Sequence, residues 1–317
     1  MEDFDTRTNT ARRDFLALST GAIALAATAA LGKPDIALAQ ADAKGDAPMG
    51  GAAQGKVLVE QLKGGVLMIG INRPEARNLL DPSLILDLGK AVYQFEHDDA
   101  LRVAVLYGRG PDFSLGADGP AIAEARRLGK FPPKDPDFMN PFNFPAAASA
   151  PPRTKPVVVA VQGGTKLGGH ELFLSADVRF AASDTVFSQA EVTRATFPFG
   201  GATVRFVREA GWGNAMRYML TGEEWGAEEA RRMGLVQEIT APGQQLQRAV
   251  DCARKIADAG PLGVRATLAS AHRAQAEGEV VAYAALSAEA QRLSQSEDFQ
   301  ERLRAARENR PPVYRGR

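Results

Sequence analysis

Two glutamates are the side chains of this sequence best suited to chemistry. Glu171 follows a glycine-rich segment, 163–169, on a predicted helix, and Glu191 follows the next predicted strand. Two carboxylates that meet in one pocket can divide the work of a general acid and a general base. The spacing therefore predicts proton transfer as the chemistry of this region.

Backbone N–H groups are the second candidate feature. Gly116-Ala117 and Gly168-Gly169 lie in two turns, each of which follows an apolar predicted strand and precedes a predicted helix. Such turns leave N–H groups unpaired at the start of a helix. If the turns lie side by side, the N–H groups of Ala117 and Gly168 can donate to one oxygen. That is an oxyanion hole, in which one donor is typically worth ~10²–10³ in rate.

The elements that would position these residues alternate between strand and helix. Apolar or alternating runs predict strands at 56–62, 66–71, 102–107, 156–161 and 178–182. Pro82 opens a predicted helix, and the last third of the chain is mostly helical in pattern. Short apolar runs bounded by glycine are typical of strands buried on both faces. We therefore expect an α/β fold.

The N-terminal region differs from the rest of the chain. Arg12-Arg13 precedes a diluted apolar run, 15–31, and Ala37-Leu38-Ala39 supplies small residues for cleavage. The segment 1–39 resembles a twin-arginine export signal, so a periplasmic or exported protein is predicted. An uncleaved anchor is the less favoured alternative because the run is short for a stable membrane span, and the protein is cytoplasmic if the signal is not used.

The remaining chain divides into three predicted parts. Residues 40–55 have the composition of a flexible linker. Residues 56–245 form the predicted core, in which the segment 129–153 is rich in proline and phenylalanine. We expect this segment to be an ordered loop whose aromatic side chains pack near the site. Residues 246–317 form a helical region.

Composition limits the kinds of partner. Basic and acidic residues balance at 38 each, which gives no reason to expect nucleic acid or an anionic membrane surface as a partner. The sequence has no paired His/Cys spacing of a metal site, and we predict none. A small-molecule substrate is expected instead.

An ordered series of motifs resembles the enoyl-CoA hydratase/isomerase (crotonase) superfamily. The series covers about residues 56–317 and consists of NRPEARNLL (72–80), FSLGAD (113–118), KPVVVAVQGG with LGGHEL (155–172), ADVRFAASDTVFSQAEV (176–192), LTG (220–222), AEEARRMGLVQEI (227–239) and SEDFQERLRAARENRPPVYRG near the end. The resemblance implies a spiral of ββα units with a C-terminal helical region that forms homotrimers or hexamers.

The resemblance also implies a substrate and roles for residues. Members bind acyl-CoA thioesters, so coenzyme A enters as part of the substrate and no separate cofactor is expected. Ala117 and Gly168 then form the oxyanion hole, and Glu171 and Glu191 handle the proton of the added water. Arg77, Gly116 and Asp118 fall at positions expected to bind CoA.

Three functions follow as hypotheses. The first is hydration of a 2-enoyl-CoA. The second is a CoA-independent carbon–carbon (β-diketone) hydrolase of the same fold, suggested by the export signal, by His170 and by the aromatic-rich loop. The third is a non-catalytic binding protein. His170 neighbours Glu171 but points about 100° away from it on a helix, so we expect a packed or surface histidine and not a catalytic one.

Overall fold

The computed structural model describes residues 55–143 and 152–317. The predicted signal peptide and all but the last residue of the predicted linker lie outside the described residues, so both stay predictions. The described strands are β1 (Val57–Leu62), β2 (Val66–Ile71), β3 (Val103–Gly108), β4 (Val157–Val161), β5 (Gly164–Lys166), β6 (Val178–Ala182), β7 (Val186–Ser188), β8 (Glu224–Gly226) and β9 (Glu238–Thr240).

The main sheet has six strands in the order β1-β2-β3-β4-β6-β9. β1 and β2 form an antiparallel hairpin, and every later pair in this sheet is parallel. β2 and β4 are buried along their whole length, as their unbroken apolar sequences predict. Alternate residues face two different cores: Val157 and Val159 belong to one, and Val158 and Ala160 to the other.

The described helices are α1 (Pro82–His97), α2 (Gly119–Arg127), α3 (Gly168–Leu174), α4 (Ala202–Ala210), α5 (Trp212–Thr221), α6 (Ala227–Arg232), α7 (Gln245–Asp258), α8 (Pro261–Glu277), α9 (Glu279–Ser294) and α10 (Glu297–Arg307), with 3-10 turns at Pro74–Ala76 and Glu191–Arg194. α1 packs on one face of the main sheet and α7 on the other. α1 begins where the sequence predicts, because Asp81 accepts a hydrogen bond from the Leu84 N–H and Pro82 occupies the first helical position.

A second sheet of three short strands, β5-β7-β8, stands beside the main one. β5 pairs with β7 in parallel and β7 pairs with β8 in antiparallel. β5 leads directly into α3, and β7 ends shortly before the 3-10 turn that begins at Glu191. The small sheet therefore places the segments of the two candidate glutamates next to each other, and the α/β fold class is confirmed.

The C-terminal part is helical from α7 onward. α7 packs on the second face of the main sheet through Ala249, Val250 and Ala253. α9 leaves large apolar side chains in solvent, among them Val280 and Tyr283, which are 83% and 67% exposed. The helical character agrees with the sequence, whereas the role of this region in assembly stays a prediction.

Candidate active site

The two predicted turns lie side by side. Ser114 and Thr165 form a parallel bridge, in which the Ser114 N–H donates to Gly164 O (3.1 Å) and the Lys166 N–H to Ser114 O (2.9 Å). On the other side of the first turn, the Leu80 N–H donates to Gly116 O (2.8 Å). The turn after β3 is thus held between two neighbouring backbone segments.

Gly116 allows the close approach of the turns. Its φ is +93°, and a Cβ placed there would lie 2.7 Å from Leu167 Cβ and 3.0 Å from the Gly168 nitrogen. Any side chain would therefore separate the two turns. A Cβ built on Gly168 would in turn lie 3.6 Å from the Ala117 nitrogen, so these two residues are direct neighbours.

The N–H groups of Ala117 and Gly168 are both available. Neither donates to an acceptor within residues 55–143 and 152–317. Gly168 is the first residue of α3, whose leading N–H groups have no partner inside the helix. The structure therefore brings together the two donors that the sequence nominates.

Leu167, just before α3, holds a backbone conformation that favours glycine. Its φ and ψ are +53° and −127°, a region that costs a residue with a side chain about 1–3 kcal/mol. The Leu167 N–H donates to Ser188 O (2.8 Å), and the side chain is 7% exposed. Packing and this hydrogen bond hold the turn at Gly168 in place.

Glu171 lies in the first turn of α3 and is 4% exposed. Its Oε1 accepts a hydrogen bond from the Ala202 N–H (3.1 Å) at the start of α4. Burial raises the pKa of Glu171 to about 7, and the negative charge of Glu191 adds to this effect. Glu171 can therefore hold or release a proton near neutral pH.

Glu191 begins its 3-10 turn and is 9% exposed. Both of its carboxylate oxygens accept from the side-chain amide of Gln189, at 2.8 and 3.0 Å. Burial raises the pKa of Glu191, while the hydrogen bonds from Gln189 oppose the rise. The two glutamates are thus both buried, and the charge of Glu191 raises the pKa of Glu171.

His170 is packed, which is one of the two placements expected from the sequence. Its ring is 0% exposed and lies among Phe173, Phe187, Phe206 and Trp225, with ring centroids 5.2 to 5.9 Å away. Burial lowers its pKa to about 4, so the ring is neutral at physiological pH. It offers no exposed surface to a substrate, which removes one of the observations that suggested a diketone hydrolase.

The residues predicted to bind CoA border the first turn. Arg77 donates to both oxygens of Asp112, at 2.8 and 3.1 Å, and its side chain is 61% exposed. Asp118 accepts from the Ala121 N–H (3.3 Å) at the start of α2 and pairs with Arg73 at 2.9 Å. Gly116 lies within the turn itself. Contact of these residues with CoA stays a prediction.

The described part of the aromatic loop reaches the site through Phe142. A Cβ built on Gly200 would lie 2.8 Å from Phe142 Cδ1 and 2.6 Å from Glu171 Oε2, so the ring and the carboxylate lie against the same glycine. Phe138 packs instead against Gly89 of α1. Phe144, also expected near the site, lies outside the described residues.

Sequence reasoning missed three residues that shape the site. Gln189 binds Glu191, Gly200 leaves room for Glu171, and Arg205 donates to Asn143 O (2.6 Å) at the end of the aromatic loop. Gln189 lies two positions before Glu191, and this spacing is the one signal the sequence offered. Arg205 has the pattern of a surface residue on an amphipathic helix, so nothing in the sequence marked it.

Within 55–143 and 152–317, no group of three His, Cys, Asp or Glu side chains is arranged to hold a metal ion. None of the helices in this part of the chain is long and apolar enough to cross a membrane.

Known proteins are similar to this chain in sequence and in fold. The family model for enoyl-CoA hydratase/isomerase matches residues 61–317. An enoyl-CoA hydratase of Mycobacterium tuberculosis is 32% identical over 82% of this chain and 96% of its own length, and the 2,3-dehydroadipyl-CoA hydratase of Escherichia coli is 31% identical over 80% and 96%.

A solved structure agrees with these matches. The crystal structure of a probable enoyl-CoA hydratase/isomerase from Mycobacterium abscessus superposes with a TM-score of 0.77 at 39% identity, covering 83% of this chain and 99% of the other. Sequence, fold and the placement of the two turns and two glutamates lead to the same conclusion: the chain belongs to the enoyl-CoA hydratase/isomerase family.

Proposed function

We propose that this protein adds water to the double bond of a 2-enoyl-CoA thioester. The observation that carries the proposal is that two available N–H groups, those of Ala117 and Gly168, lie side by side at the start of the helix that carries the buried Glu171. The buried Glu191 supplies the second carboxylate of the proposal. Family membership supports acyl-CoA as the substrate class. Substrate chain length is left open by this proposal.

The N–H groups act on the thioester carbonyl. When water adds to the β-carbon, electron density moves to the carbonyl oxygen and creates an enolate-like anion. Two backbone donors fixed before the reaction stabilise that charge without having to reorganise. Gly168 stands at the first position of α3, where the helix dipole also favours negative charge.

The glutamates move the protons. The pKa of Glu171 is about 7 and that of Glu191 is raised as well, so the coupled pair can hold one proton near neutral pH. The ionised carboxylate takes a proton from water while the water oxygen bonds to the β-carbon. The protonated carboxyl group supplies a proton to the α-carbon. The hydrated product leaves with one water added and the pair regains its starting charge.

The CoA moiety would lie at the exposed edge of the first turn. Arg77 keeps most of its side chain in solvent while its pair with Asp112 fixes its direction, and a guanidinium is suited to phosphate. Asp112 also accepts from the Gly164 N–H (2.7 Å). A phosphate bound by Arg77 would therefore be linked, through Asp112 and Gly164, to β5, the strand that leads to Gly168.

Hydration of crotonyl-CoA by the full chain tests the proposal. Glu171→Gln and Glu191→Gln should each lower kcat by ~10²–10⁴, the usual worth of a general acid or base, without loss of folding. Glu60→Gln, at an exposed position on β1, is the matched control and should leave kcat unchanged. Wild-type rates in either active-site variant would remove that carboxylate from the mechanism.

Location and assembly are proposed separately. Export through the twin-arginine pathway rests on residues 1–39 and is tested by fractionation and N-terminal sequencing of the mature protein. A homotrimer or hexamer is supported by the exposed apolar side chains of α9, including Val280, Tyr283 and Leu286, and light scattering in solution tests it. A monomer at micromolar concentration would contradict that assembly.

A further inference from the structure

Gln189 connects Glu191 to a histidine that the proposed chemistry does not use. The glutamine is fully buried, and its Nε2 donates to both oxygens of Glu191. Its Oε1 faces Nδ1 of His170, and the two atoms form a short hydrogen bond. A chain of three side chains thus runs from an aromatic cluster to a candidate catalytic carboxylate.

The direction of each hydrogen bond follows from the donors and acceptors. An ionised carboxylate only accepts, so the amide NH₂ of Gln189 must face Glu191. The amide oxygen then faces His170, and because it too only accepts, Nδ1 must carry the hydrogen. His170 is therefore the tautomer protonated at Nδ1. Within the described residues, this N–H is the donor that Gln189 Oε1 accepts from.

The surroundings of His170 keep it neutral, and because no acceptor among the described residues faces its Nε2, the hydrogen is better placed on Nδ1. Its ring stacks on Phe173 and meets the edges of Phe206 and Trp225, and burial in this cluster disfavours the imidazolium. The positive charge of Arg179 opposes protonation further. A buried neutral ring of this kind is suited to hold a neighbouring amide by hydrogen bonding.

We propose that His170 is a positioning residue: it fixes the Gln189 amide with its NH₂ toward Glu191, and so keeps Glu191 oriented and in its proton-accepting form. This inference rests on the proposed hydration for its kinetic consequence. The hydrogen-bond chain itself does not depend on the substrate.

Loss of the Nδ1 donor would free the amide to rotate by half a turn. An ionised Glu191 would still attract the NH₂ group, but a protonated Glu191 could now donate to Gln189 Oε1, so the loss stabilises the protonated form alone. The pKa of Glu191 should rise as a result. The other charges would stay the same. Arg194 on its own turn favours ionised Glu191, and Glu191 in turn raises the pKa of Glu171 on α3. Lys166 with Glu224 and Arg217 with Glu223 form ion pairs of their own.

Two substitutions separate hydrogen bonding from packing. His170→Phe keeps an aromatic ring in the cluster but removes the donor. His170→Asn leaves a cavity but places an amide N–H where Nδ1 stands. If His170 only fills space, the phenylalanine variant should perform better; if it positions Gln189, the asparagine variant should. Gln189→Leu, which removes the connection altogether, is the reference.

The first measurement is the pH profile of crotonyl-CoA hydration by the full chain. His170→Phe should lower kcat by ~10–100-fold, part of the full worth of a general base, with KM changed less than about twofold, and should move the titration assigned to Glu191 upward by about one pH unit, a tenfold change in ionisation. His170→Asn should restore both toward wild type. A phenylalanine variant with the wild-type profile, or an asparagine variant as impaired as it, would overturn the proposal.

The second measurement needs no substrate. With ¹³C-labelled glutamate carboxyls, the Glu191 signal is assigned by its absence in Glu191→Gln and followed through pH. A Glu191 pKa that is raised in His170→Phe and Gln189→Leu, but not in His170→Asn, supports the positioning role even if crotonyl-CoA is not turned over. In that case the proposed hydration is refuted and the positioning role is not. If the pKa of Glu191 is unchanged in all three variants, the positioning role is refuted whatever the activity.

Discussion

Gly200→Ala should strongly lower the proposed hydratase activity while leaving the fold intact. A Cβ at this position would lie 2.6 Å from Glu171 Oε2, 2.8 Å from Glu171 Cδ and 2.8 Å from Phe142 Cδ1. Ordinary van der Waals contact begins near 3.4 Å, so the carboxylate must move by about 0.8 Å. The atom in the way is the end of a side chain, which can give way without moving the backbone.

The expected cost is therefore kinetic. A displacement of about 1 Å of a catalytic group typically costs ~10² in rate, and the movement also strains the hydrogen bond from the Ala202 N–H to Glu171. Overpacking costs about 1–3 kcal/mol, and we expect the lower end because both neighbours are side chains. Activity should fall about 100-fold while the free energy of unfolding falls by about 1 kcal/mol.

The assay is hydration of crotonyl-CoA beside urea denaturation of the same preparations. Gly213→Ala is the matched control, because a Cβ at Gly213 meets nothing within 4 Å; it lies in α5 and should stabilise the chain by up to ~1 kcal/mol with unchanged activity. Phe142→Ala combined with Gly200→Ala removes the ring contact only and should not restore the rate. Full activity in Gly200→Ala would refute the placement of the Glu171 carboxylate against Gly200.

Two further predictions concern the stability of the same region. Burial raises the pKa of Glu171 to about 7 from 4.5, so between these pH values the folded chain holds a proton that the unfolded chain releases. The free energy of unfolding of wild type relative to Glu171→Gln should therefore be greatest below pH 4.5 and fall by about 3 kcal/mol as pH rises through 7. A difference in urea midpoints that does not change with pH would contradict this prediction. Leu167→Gly should be more stable than Leu167→Ala by about 1 kcal/mol, because a backbone φ of +53° favours glycine. This is the reverse of the usual order of the two residues. An alanine variant of equal or greater stability would show that the turn is unstrained.

The sequence predicted the long elements well and the short ones poorly. β2, β3 and β4 are apolar runs bounded by glycine or proline, and their burial needs no knowledge of the rest of the chain. β5, β7 and β8 have three residues each, too few for a period of two to be recognised. Their existence depends on pairing between distant segments, and the position of Glu191 depends on that pairing.

The candidate site shows the same division. Glu171 and the turn at Gly168 could be nominated from local spacing, because one helix carries both. Gln189 and Gly200 act through contacts that local spacing does not encode: an amide turned toward a carboxylate, and an absent Cβ where another segment passes. The sequence could place the reacting groups on elements, but could not show which neighbours hold them still.

The far end of α3 explains how the site is held. Arg179 Nε donates to Phe173 O (3.1 Å), and Arg153 Nη2 donates to Ser175 O (2.6 Å), so two guanidinium groups cap the C-terminal carbonyls of the helix that carries Gly168 and Glu171. Both arginines are 4% exposed, and their charges complement the negative end of the helix dipole. A seven-residue helix would be marginal by itself, so its rigidity must come from such contacts, and the geometry at Gly168 and Glu171 depends on arginines bound to the opposite end of the helix.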